Sequence, residues 1–187
     1  MLRAVLAAAA LAAAPPPPAI PEVIVDRAAF ARAVEQGGTP LLLEGAGLFR
    51  WKRLVKVYAA AHYVGAGAAG APLDADVPRR LEIAYLVGIE GPDFGKAADE
   101  LLRESFPPEV MSALRERLDR LHAAYVDVRP GDRYALTYLP GRGTELALNG
   151  TPIATIEGAD FARAYFAIWL GEKPIDRGLR DALRGAR

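Results

Sequence analysis

Arg50, Lys52, Lys56, Tyr58 and His62 are the residues whose types and spacing could do chemistry together. In the segment WKRLVKVYAAAHYV (51–64) they alternate with Trp51, Val55, Val57, Ala59, Ala61 and Tyr63. A period of two puts the two sets on opposite faces of an extended strand. A guanidinium beside a phenol hydroxyl can grip a carboxylate through charge-assisted hydrogen bonds. Arg50 and Tyr58 are therefore the candidate clamp, with Arg53 a second guanidinium if a bulge shifts the register. The competing reading is a solvated outer face on which Lys52 and Lys56 keep the sheet soluble.

The rest of the sequence excludes much. There is no cysteine among the 187 residues, which removes thiol catalysis, Cys-ligated zinc and iron–sulfur clusters. Ser105 and Ser112 are the only serines, and neither sits in a nucleophile elbow. His62 and His122 lack carboxylates at metal-ligand spacing, so neither a metal nor a cofactor is expected, and His122 reads as a core or boundary residue one turn beyond Leu118. Gly65-Ala66-Gly67-Ala68-Ala69-Gly70 spells the dinucleotide fingerprint, but Pro72 and Pro78 stand where its helix should begin. Balanced charge, 23 basic against 23 acidic residues, argues against a nucleic-acid surface.

The elements that must position the clamp follow from periodicity. AAFARAVE (28–35) suggests a short helix ended by Gly37-Gly38, and Thr39 to Glu44 a brief apolar run before a turn bracketed by Gly45 and Gly47. Trp51 to Val64 is expected as one strand and Arg80 to Val87 as the next, with a loop over 65–78 between them. Phe94, Ala97, Ala98, Leu101 and Leu102 form one helical stripe, which Pro107-Pro108 ends. Val110, Leu114, Leu118, Leu121 and Tyr125 form a second. Residues 131–156 read as a three-stranded meander whose last turn is Asn149-Gly150, and helices over 159–170 and 176–184 close the chain. Strands before and after a block of helices indicate an α+β domain, a mostly antiparallel sheet with helices on one face.

The N-terminus carries a basic start at Arg3 and an apolar run AVLAAAALAAA (4–14), the make-up of a secretory signal and too short for a stable membrane span. Residues 1–12 are expected to be removed, with the cut between 12 and 14, leaving a proline-rich spacer over 13–21 and a domain over 22–185. The expected location is therefore outside the cytoplasm, in a periplasm.

Several segments together resemble the bacterial chalcone isomerase-like domain family: GAGLFR (45–50), KVYAAAHYV (56–64), RLEIAYL (80–86) with DFGKA (93–97), and above all GDRYALTYLPGRGTELALNG (131–150) running into IEGADFARAYFAIWLGEKPI (156–175). The resemblance implies an open-faced sandwich, a sheet wrapped on one side by helices with a ligand cleft between them. The plant isomerases of this fold hold a phenolate with an Arg, a strand Thr, and a Tyr, an Asn and a Ser or Thr on helices. Position by position, Tyr58 stands for the Thr, Phe94 for the Tyr, Leu101 for the Asn and Ile168 for the Ser or Thr. Losing several such donors, each worth about 100- to 1000-fold in rate, leaves little isomerase chemistry. The fatty-acid-binding relatives pair an Arg with a Tyr on the carboxylate, a role that Arg50 and Tyr58 would fill while Phe94, Leu101 and Ile168 line an apolar cleft. The expectation is thus an exported, non-catalytic protein that binds a small amphipathic anion such as a fatty acid. A residual isomerase or lyase on a phenolic or enone substrate, and an interaction domain with a filled core, are the alternatives.

Overall fold

A computed structural model of the chain describes residues 22–186. The expected signal segment 1–12 and spacer 13–21 lie outside the described residues. Two short strands, β1 (Glu22–Val25) and β2 (Ala28–Ala31), form a hairpin. Seven more make one antiparallel sheet in chain order: β3 (Ala33–Gln36), β4 (Thr39–Trp51), β5 (Val55–Gly65), β6 (Arg79–Tyr85), β7 (Arg133–Leu139), β8 (Gly143–Leu148) and β9 (Thr151–Ile156). Helices α1 (Gly91–Ser105) and α2 (Pro108–Ala124) sit between β6 and β7, while α3 (Ala159–Leu170) and α4 (Arg177–Leu183) follow the sheet. The α+β architecture is the expected one.

Each face of the sheet buries its own core. Tyr58, Ala60, Leu81, Ile83 and Leu136 pack with the helices, including Leu102, Leu118 and Phe166. Ala59, Ala61 and Tyr63, on the opposite face of β5, pack with Phe30 of the β1–β2 hairpin and Leu41. Ion pairs tie the helices to one another: Arg115 of α2 reaches Asp99 of α1 at 3.1 Å, and Arg117 of α2 grips Asp160 of α3 with both terminal nitrogens, at 2.8 and 2.6 Å.

Three local expectations are corrected. Residues 28–35 are strands, not a helix. Eight residues cannot nucleate a stable helix alone, and the alternate burial of Ala28 and Phe30 fits pairing with β1. Gly45 and Gly47 do not bracket a turn, since β4 runs straight through them; they clear space for α4. A Cβ on Gly45 would lie 2.1 Å from the carbonyl oxygen of Ala182, and one on Gly47 would lie 2.9 Å from the Ala182 Cβ. Finally, Trp51 to Val64 is not one strand. The chain reverses at Lys52-Arg53, both with positive φ (49° and 61°), and the Leu54 amide donates to the Trp51 carbonyl at 3.1 Å. The Asn149-Gly150 hairpin appears where expected, with the same pair of positive φ values, 49° and 82°.

Candidate functional site

The hairpin at Lys52-Arg53 decides which side chains meet. Phe49 pairs with Tyr58 and Arg50 with Lys56, leaving Val57 as the extra residue of a β-bulge. The bulge reverses the alternation, so Tyr58 shares a face with Phe49 and Trp51 while Arg50 and Lys56 turn to the other. Lys56 forms an ion pair there with Asp26, whose carboxyl is held below its ordinary value first by that hydrogen bond and further by nearby cations including Arg50. Arg50 and Tyr58 are therefore not a clamp, and Arg53 is exposed in the turn. His62 does share the Tyr58 face, but α4 covers it: its Nδ1 lies 3.3 Å from the Leu183 carbonyl oxygen and 3.1 Å from the Glu44 carboxylate. Burial alone would raise the Glu44 carboxyl, yet hydrogen bonds from His62 and the Gly70 amide hold it below its ordinary value.

On the face that Tyr58 occupies, α1 and α3 stand off the sheet and leave a cavity of about 500 Å³. That is within the roughly 300–1,000 Å³ of small-molecule sites. Tyr58, Phe94, Leu101 and Ile168, four of the five residues singled out from the sequence, line it; Arg50 does not. Phe94, Ala97 and Leu101 arrive on the exposed side of the α1 stripe, Ile168 and Trp169 on α3, and Leu81, Ile83 and Leu136 form the sheet floor. The cavity is rich in rings. Phe49 stacks on Tyr58 with centroids 4.9 Å apart, and Phe94 stacks on Tyr125 at 4.9 Å and meets the edge of Tyr85 at 5.5 Å.

Five of the chain's seven tyrosines border this space. Their hydroxyls differ in what they have left to offer. The Trp169 indole N–H, a donor only, gives its hydrogen to Tyr58 Oη at 3.1 Å, so the Tyr58 proton remains available. Tyr125 and Tyr165 share one hydrogen bond at 3.1 Å, which leaves one further proton between them. Tyr134 is fully engaged, donating to the Val126 carbonyl and accepting from its amide, each at 3.0 Å. Tyr85, which borders the space, makes none of the side-chain hydrogen bonds seen among the described residues. Burial raises Tyr58, Tyr85, Tyr125 and Tyr165 above the ordinary phenol value, so all four are neutral donors at physiological pH.

Charge is distributed the other way. No Lys, Arg or His lines the cavity, and the charged residues along it are Asp93, Glu100 and Glu104, all exposed on α1 at the mouth. The arrangement is an apolar, ring-walled space with free phenol donors inside and carboxylates at one lip. It can hold hydrocarbon and offer hydrogen bonds to an oxygen acceptor. The lining contains no imidazole or amine to act as a base.

The aromatic residues Tyr85, Tyr125, Tyr134 and Tyr165 were not among the sequence-derived candidates. They come from different parts of the chain: Tyr85 alternates with Leu81 and Ile83 within RLEIAYL and Tyr125 ends the stripe of α2, yet no local signal joins them in one site. A sequence model of the chalcone isomerase-like family matches residues 23–185. Nothing among curated proteins matches the chain. A solved structure of an Arabidopsis thaliana fatty-acid binding protein is similar, with a TM-score of 0.67 at 16% identity, covering 88% of this chain and 96% of its own. At that identity the likeness establishes the architecture.

Proposed function

This chain belongs to the chalcone isomerase-like family, and we propose that it is a non-catalytic binding protein that holds one single-chain lipid of the fatty-acid class between its sheet and helices. The observation that carries this is the cavity of about 500 Å³, walled by rings and aliphatic side chains and furnished with unspent phenol donors. The similar fold of a fatty-acid binding protein supports the choice of ligand class. Phe94, Leu101 and Ile168 present hydrocarbon at the positions where the resemblance to the isomerases implies polar groups, which favours binding over turnover. The head group is held by Tyr58, joined by Tyr85, rather than by Arg50. Each apolar side chain that an acyl tail covers contributes up to about 1.5–3 kcal/mol. Export to a periplasm, expected from residues 1–12, belongs to the same proposal and is tested by fractionating cells that produce the full chain.

Displacement of a fluorescent fatty-acid analogue tests the binding. Saturable binding of one probe per chain is expected, with loss of at least tenfold in affinity when Leu101→Trp fills the space. An unchanged affinity in that variant, at preserved melting temperature, would place the probe elsewhere and end the proposal.

A further inference from the structure

The tip of the β4–β5 hairpin has a composition that the cavity does not explain. Residues 50–56 read RWKRLVK, four cations and three apolar residues. Leu54 is 82% exposed, Trp51 54% and Val55 46%, so the apolar members stand in solvent. Isolated exposed apolar residues are ordinary, whereas three at one hairpin tip among four cations make a patch of defined chemistry. Lys52 stands over the Trp51 ring at 4.3 Å, and of the four cations only Lys56 has a carboxylate partner among the described residues.

The turn itself is built at a cost. Two residues with positive φ call for Asn-Gly, which the same molecule uses at Asn149-Gly150. Lys52 and Arg53 take that conformation with long, exposed side chains, and beyond the contact of Lys52 with the Trp51 ring neither has a side-chain partner among the described residues. Strain of this kind, of order 1–3 kcal/mol per residue, concentrates where side-chain identity serves a purpose other than stability.

We propose that this tip docks on anionic lipid bilayers, sinking Leu54, Trp51 and Val55 into the interface while Arg50, Lys52 and Arg53 meet the head groups. Charge complementarity and aromatic chemistry both select that occupant: tryptophan favours the headgroup boundary, and basic residues near an anionic leaflet each add to attachment. The docking proposed is that of a hairpin turn at the interface; no helix among the described residues is long and apolar enough to cross a membrane. Trp51 also lines the cavity, so the docked tip sets the mouth beside the bilayer. Glu100 and Glu104 at the other lip repel an anionic surface and confine contact to the hairpin. The inference rests on the tip and adds to the lipid-binding reading a route by which a bilayer lipid reaches the cavity.

Co-sedimentation with vesicles of phosphatidylcholine alone, or with a quarter phosphatidylglycerol, tests it. The protein should bind the anionic vesicles, release them as salt rises, and show Trp fluorescence quenched by brominated lipid more strongly in the wild type than in Trp51→Phe, whose remaining Trp169 lines the cavity and not the tip. The double variant Lys52→Asn/Arg53→Gly gives the turn its preferred residues, so its melting temperature should stay level or rise. Its vesicle affinity should nevertheless fall by about fivefold per cation removed, roughly 25-fold in all. Its affinity for a soluble fatty-alcohol probe should not change, because neither residue lines the cavity. Equal binding to neutral vesicles, undiminished binding by the double variant, absence of vesicle binding at low salt, or capture of the hairpin by a protein partner without lipid affinity would each overturn the proposal. Absence of probe binding by the wild type, with its anionic-vesicle binding intact, would instead count against the cavity reading alone.

Discussion

A carboxylate head group placed in this cavity meets no cation, which makes the affinity for a fatty acid steeply dependent on pH. Stripping an ionised carboxylate of water costs several kcal/mol even after relaxation. Two phenol donors, Tyr58 and Tyr85, would each return about 1.5–3 kcal/mol as hydrogen bonds to a charged group, and the three carboxylates at the mouth work against them. The alternative is to bind the acid protonated. Neutralising an aliphatic carboxyl with an ordinary value near that of Glu, about 4.3, costs about 1.36 kcal/mol for every pH unit above it. Between pH 5.5 and 7.5 the apparent affinity for dodecanoic acid should therefore fall about tenfold per unit, roughly 100-fold across the range. Dodecanol presents the same tail and an oxygen acceptor without charge, so its affinity should change less than twofold and exceed that of the acid at pH 7.5. Competition of both ligands against one fluorescent probe, at concentrations below micelle formation, measures the pair. An acid affinity that is flat across this range, or greater than that of the alcohol at pH 7.5, would show that a cation reaches the head group and refute the reasoning.

Two further outcomes follow from single side chains. Tyr58→Phe takes the acceptor from the part-buried Trp169 N–H, which should lower stability by about 0.5–1.5 kcal/mol in denaturant unfolding, and it should weaken dodecanol binding by roughly 2- to 12-fold through the lost donor. His122 is held below the ordinary histidine value of about 6.5, chiefly by burial and against the pull of Asp99 at 3.9 Å. A histidine whose folded value is depressed favours the fold in its neutral form. Its contribution is complete above 6.5 and is lost as pH falls through the lower folded value, so melting temperature should decline below pH 6.5 and His122→Gln should flatten that decline.

The parts of this molecule that are legible in the sequence are those governed by local periodicity and local turn chemistry. Asn149-Gly150 announces its hairpin, the stripe Phe94, Ala98, Leu101 and Leu102 announces α1, and Pro107-Pro108 marks the break between α1 and α2. From these the α+β class follows, and with the resemblance so do three of the apolar lining residues and Tyr58. The clamp fails for a local reason of the opposite kind. Lys52-Arg53 carries no turn signal, and the bulge at Val57 leaves no trace in composition, yet together they move Arg50 to the far face from Tyr58. Residues 28–35 mislead because alanine favours helix intrinsically, while pairing with β1 and β4 is a tertiary matter. Gly45 and Gly47 imitate a turn because a glycine that admits a neighbouring helix and one that reverses the chain look alike until α4 is in place. The phenols that complete the cavity come from β5, β6, β7, α3 and the end of α2, and nothing short of the fold gathers them.

The central claim is that the space between sheet and helices belongs to a lipid. Native mass spectrometry of the folded chain with dodecanol, alongside the Leu101→Trp variant, tests it most directly. The account predicts one ligand per wild-type chain and none on the variant at equal folded fraction; no adduct on either protein, or equal occupancy of both, would contradict it.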